Sequence, residues 1–104
     1  MTLDIHLARS AQAATRKPAD LRLELEVHAA IFAQRNADGT SLDRLHDYYR
    51  DASFGLNDLA SLQQGIEVAA ASNRSVEAAG FLTEFRALVE RAVREQKSVF
   101  VFAD

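Results

Sequence analysis

Polar and apolar residues alternate strictly at two places in the first quarter of the chain. Leu3, Ile5 and Leu7 interleave with Asp4, His6 and Ala8, and Leu21, Leu23, Leu25 and Val27 interleave with Arg22, Glu24, Glu26 and His28. A period of two marks a strand with one buried face, so the pattern predicts strands over 2–8 and 20–28. Leu and Glu favour helix by intrinsic propensity, but a 3.6-residue repeat would scatter the four apolar residues of the second run around a cylinder. Period decides for strand. The run from Val99 to Phe102 is continuously apolar, β-branched and aromatic, which predicts a third strand over 98–103, buried on both faces.

Helical signals fill the middle of the chain. Ala29 to Arg35 predicts a short helix over 29–35 that stops at the turn residues Asn36, Asp38 and Gly39. Thr40 with Asp43 three residues later has the form of a capping box and opens a predicted helix over 41–51. Asn57 and Asp58 cap a helix over 57–72 whose apolar face is Leu59, Leu62, Ile66 and Ala69. Ser75 caps the longest helix, 75–97, with a stripe of Leu82, Phe85, Leu88, Val89, Ala92 and Val93. Small residues form one row at Ser61, Gly65 and Ala69 and another at Gly80, Thr83 and Ala87, which predicts a close antiparallel approach of these two helices. The element order predicts one α+β domain over 1–104, a three-stranded sheet packed by about four helices. Strand order stays open: a hairpin of the first two strands puts the last one outside that pair, yet its apolar run asks for a central place.

Composition narrows the function classes. A chain of 104 residues, 48% hydrophobic and 26% charged, has the balance of a globular protein with one modest core. The absence of cysteine excludes disulfides and thiolate metal centres and favours a reducing, cytoplasmic setting. No apolar run approaches the ~20 residues that span a bilayer, and the first residues lack the pattern of a secretory signal, so no membrane partner is expected. A net charge of −3 with unclustered basic residues gives no attraction to phosphate backbones, and nucleic acid is not an expected partner.

Candidate chemistry is sparse. His6 and His28 fall on the polar faces of the predicted strands, where Asp4 and Glu26 accompany them, and two histidines with a carboxylate suit a divalent metal if the register joins them. Without a local ligand spacing, ordinary surface histidines are the preferred reading and no metal is expected. No GxSxG elbow, phosphate-binding loop or dinucleotide fingerprint occurs, so no cofactor is expected either.

The segment LDRLHDYYRDASF, Leu42 to Phe54, concentrates acids, a histidine and paired tyrosines. On a helix over 41–51, Leu42, Leu45, His46 and Tyr49 share the packed face, while Asp43, Asp47 and Asp51 line up at four-residue spacing as an acidic ridge. Tyr48 falls at the flank and Phe54 follows in the connection. A solvated face with tyrosines rimming the core explains this arrangement as well as a protein-binding surface does. For the latter, tyrosine offers rigid contact area and acids steer a basic partner. The candidate contacts are Asp43, Asp47, Tyr48, Asp51 and Phe54.

Together with DLRLELEVHAAIF at Asp20 to Phe32, this segment resembles the small bacterial immunity proteins encoded beside polymorphic or contact-dependent toxins. The resemblance implies a cytoplasmic, non-enzymatic monomer or homodimer that binds a cognate protein toxin domain and blocks its active site. A small enzyme using a histidine and an acid, and a self-associating subunit that buries Phe54 and Tyr48 against a copy of itself, are the alternatives.

Overall fold

A computed structural model describes residues 2–33 and 39–103. The predicted turn at Asn36 and Asp38, and the end of the predicted helix over 29–35, lie outside the described residues. Those described form strands β1 (Thr2–Ala8), β2 (Leu21–Glu24), β3 (Ala52–Phe54) and β4 (Ser98–Ala103), with helices α1 (Ala11–Thr15), α2 (Leu25–Phe32), α3 (Leu59–Ser72) and α4 (Val76–Glu95). The class is α+β, with an antiparallel sheet of four strands rather than three, in the order β2-β1-β4-β3.

The fourth strand resolves the conflict over strand order. β1 pairs with β2 and β4 on its two sides, and β3 covers the other side of β4, so the last strand of the chain is central while the β1–β2 pair persists. With three residues, Ala52–Phe54 is too short to display a period of two, which is why the sequence hides it.

The predicted strand over 20–28 is half right. Among the described residues its ladder runs from the Ile5–Leu21 pair to the Thr2–Glu24 pair. Leu25 onward then satisfies its backbone in a helix, as its propensities favour, and His28, Ile31 and Phe32 become the buried face at i, i+3 and i+4. Period governed where a partner strand was present, and propensity governed where it was not. The connection from β1 to β2 holds α1, which the pattern did not reveal; Ser10 Oγ accepts from the Ala13 amide at 3.1 Å and Ala14 is buried.

The two long helices follow expectation. Leu59, Leu62, Ile66 and Ala69 of α3 are buried, and so are Leu82, Phe85, Val89 and Ala92 of α4, although Val93 is exposed. Ser75 Oγ caps α4 by accepting from Ala78 N at 3.2 Å. Before α3, Asp58 does not cap with its side chain; its carboxylate reaches back to the Gly55 amide at 3.0 Å, closing a 3-10 turn over Leu56–Asp58.

The sheet has two unlike faces. Leu3, Ile5, Leu7, Leu23, Phe54, Val99 and Val101 are all buried in the core. Phe100 and Phe102, which alternate with the valines of β4, are only half-buried on the other face, so this strand is not buried on both sides.

Candidate functional site

No α-helix forms over 41–51. A 3-10 helix spans Ser41–Leu45 and then stops, because the atoms that would continue it are bonded elsewhere. An α-helix needs the Tyr49 amide to reach the Leu45 carbonyl. Instead His28 Nε2 lies 2.6 Å from that carbonyl, and the Tyr49 amide donates to Asp47 Oδ1 at 3.0 Å in an Asx turn. The Arg50 amide closes the turn onto the Asp47 carbonyl at 3.3 Å.

Residues 46–51 are therefore a strap. It runs across the end of the sheet at which β2 and β4 finish and β1 and β3 start. Tyr48 fixes one side, its hydroxyl donating to the Leu23 carbonyl of β2 at 3.2 Å. Asp51 fixes the other, Oδ1 accepting from the Ala103 amide of β4 at 2.7 Å. Arg44, just upstream, donates to the Ser53 carbonyl of edge strand β3 and to Asp58 Oδ1, both at 3.0 Å, with its guanidinium 5.5 Å from the centre of the Phe54 ring. Side chains from this segment thus bond to main-chain carbonyls of β2 and β3, the two outer strands of the sheet.

This geometry reassigns the candidate contacts. Tyr48 is 5% exposed and Phe54 0%, so both belong to the core and present no surface to a partner. The expected flank position of Tyr48 assumed helical phase, which the Asx turn changes. Tyr49, assigned to the packed side, is 65% exposed, and His46, expected to be partly buried, is also outside. Asp47 and Asp51 are exposed and Asp43 is half-buried. The exposed residues were missed because the signal for them is local: an Asp two residues before Tyr49 that turns the chain rather than riding on a helix.

The three carboxylates gather on an open groove of about 560 Å³ whose lining includes Asp43, Arg44, His46, Asp47, Arg50 and Asp51. Arg44 is committed to Asp58. Its hydrogen bonds hold the Asp58 carboxyl below its ordinary value, and the pairing pushes the guanidinium up in turn. Arg50 remains as the groove's other arginine, against three acids, so the groove is acidic.

The histidines do not assemble. Glu26 and His28 leave the strand for α2, whereas His6 lies under the Phe102 ring, 5.2 Å between centroids, on the sheet face opposite the core. His6 is buried, not on a polar surface, and among the described residues its Nδ1 has no hydrogen-bond partner. No group of three metal-ligating side chains occurs among the described residues, and no described helix is long and apolar enough to cross a membrane. Comparisons with models of protein families, with curated protein sequences and with solved structures found no match.

Proposed function

We propose that the chain is a protein-binding module of the immunity type, which docks a basic protein toxin domain on the strap and occludes it by steric and electrostatic contact. The observation that carries this reading is the convergence of Asp43, Asp47 and Asp51 on one open groove, in a segment that also exposes Tyr49. Carboxylates around a groove raise the rate at which a basic partner arrives, and a tyrosine in the same segment supplies contact area with few rotors to immobilise. The strap is also fastened at both ends to the sheet, so its surface is presented with little ordering left to do on binding.

Asp47 and Asp51 both accept main-chain hydrogen bonds, so charge reversal there would disturb the fold as well as the field. Asparagine keeps the acceptor oxygen and removes the charge. The test first asks whether a toxin domain is encoded beside this chain, then joins Asp43→Asn, Asp47→Asn and Asp51→Asn in one variant and measures its association with that domain, together with protection of growth. Association of the variant should be slower by about tenfold or more at low salt, with most of the difference gone at high salt. Equal association rates for the two proteins at low salt would remove the strap from the interface.

A further inference from the structure

We propose that His28 is a proton-sensitive latch on the strap, so that acidification releases the surface on which docking is proposed to occur. The consequence for binding rests on that proposed function; the latch itself is a property of the free chain.

His28 is 7% exposed and its ring is enclosed by aromatic neighbours. The Phe32 ring lies 4.7 Å away between centroids, tilted by 36°, and the Tyr48 ring lies 5.0 Å away, edge-on. A carbonyl oxygen only accepts, so the 2.6 Å contact with Leu45 places the hydrogen of the neutral imidazole on Nε2. A second proton must therefore enter at Nδ1. Burial pushes the imidazole below its ordinary value, and the nearby His46 acts in the same direction, while the Leu45 and His46 main chain and the Asp47 carboxylate oppose them. From the strap, then, the titratable groups facing His28 are His46 and Asp47; on its own helix, Glu26 is exposed, and the Tyr48 hydroxyl is engaged with Leu23.

Charging the ring therefore favours conformations in which it reaches water. His28 holds Leu45 by a hydrogen bond and Tyr48 by ring contact, and both residues belong to the segment that leads into the strap. Losing these holds loosens residues 45–50, which are then tied to the sheet only through the Tyr48–Leu23 and Asp51–Ala103 hydrogen bonds among the contacts described above.

The molecule carries its own reporter. It has no tryptophan, and its two tyrosines, Tyr48 and Tyr49, both sit on the strap, so tyrosine emission reads this segment alone. The experiment follows amide hydrogen exchange of the free full-length chain between about pH 7.5 and about pH 5.5, a range that brackets ordinary histidine titration. Rates are corrected for intrinsic pH dependence and α4 serves as internal reference. In the wild type, protection over 45–50 should fall several-fold on acidification while α4 holds. His28→Gln retains an amide donor but cannot titrate, and its strap should stay protected; His46→Gln should behave as the wild type. The latch is overturned if strap protection is the same at both pH values, or if it falls equally in His28→Gln. Should that variant not fold, the wild-type ring resonances of His28 decide: their titration midpoint must coincide with the change in tyrosine emission, and separate midpoints reject the proposal. No toxin enters either assay, so failure of the binding reading and failure of the latch are distinguishable.

Discussion

His28 Nε2 sits 2.6 Å from the Leu45 carbonyl oxygen, and that contact decides the conformation of the segment after it. With the Tyr49 amide turned to Asp47 Oδ1, the Leu45 carbonyl has His28 as its partner where an α-helix would supply Tyr49, and the stretch runs as a strap. His28→Ala removes the donor, leaves a buried carbonyl unpaired and opens space beside Phe32 and Tyr48. The expected loss is about 2–4 kcal/mol, read from denaturant unfolding at neutral pH. Because burial depresses the imidazole in the folded state, the folded chain binds fewer protons than the unfolded one. The stabilisation is thus complete above the ordinary histidine value and declines as pH falls through the depressed one.

Phe54 and Tyr49 exchange their expected roles: Phe54, a candidate contact in the connection, is buried, and Tyr49, which helical phase puts on the packed face, is exposed. Phe54 is wholly buried on the core face of β3, so Phe54→Ala should destabilise by about 3–5 kcal/mol. Tyr49→Ala, at a side chain 65% exposed, should change stability by about 0.5 kcal/mol or less and act only on binding. Comparable unfolding midpoints for the two variants would contradict this assignment.

Asp20 extends the hydrogen bonding of β1 past the end of β2. Its Oδ2 accepts from the Leu7 amide and from Lys17 Nζ, each at 2.7 Å, and Lys17 also donates to the Leu7 carbonyl at 2.8 Å. Burial works against ionisation of this carboxyl, but the Lys17 and Leu7 hydrogen bonds outweigh it and hold Asp20 below its ordinary value. Its contribution is therefore present above the ordinary Asp value and is lost as pH falls through the depressed one. Asp20→Asn should lower the unfolding midpoint near neutrality, with the gap from wild type closing in acid. A gap independent of pH would assign the effect to something other than charge.

What could be read in advance follows the reach of the forces involved. β1, β4 and the long helices were legible because each repeats its pattern over several turns or pairs, although Val93 proved exposed, His6 buried and the second face of β4 only half-buried. The second strand was legible only up to Glu24, since Leu25–Phe32 forms a helix that buries His28, Ile31 and Phe32 against the core, a tertiary fact. β3 and the strap were illegible for the same reason: a three-residue strand has no period, and the His28–Leu45 bond joins residues 17 apart in sequence. At the candidate site, the acids could be found by composition. Which tyrosine faces outward could not, because that choice is made by an Asx turn and a distant imidazole.

Gly65 and Gly80 provide a paired test of packing, since the sequence treats them alike and the fold does not. Both were expected where α3 and α4 approach each other. Gly65 instead faces the 3-10 helix at Ser41–Leu45: a Cβ built on it would sit 2.6 Å from Leu42 Cβ and closer still to Thr40 Oγ1. Those atoms belong to short, packed side chains, so relief requires the 3-10 helix to move away from α3. Gly65→Ala should destabilise by about 1–3 kcal/mol, and the displacement should reach the strap that follows Leu45. A Cβ at Gly80 meets nothing within 4 Å, so Gly80→Ala gains helix propensity without steric penalty and should stabilise by about 0.5–1 kcal/mol. Denaturation midpoints shifting in opposite directions would confirm that Gly65 serves the contact between α3 and the 3-10 helix, and that the packing of α3 on α4 relies on neither glycine. A Gly65→Ala protein as stable as the wild type would show that this contact yields, and that the strap's position does not depend on it.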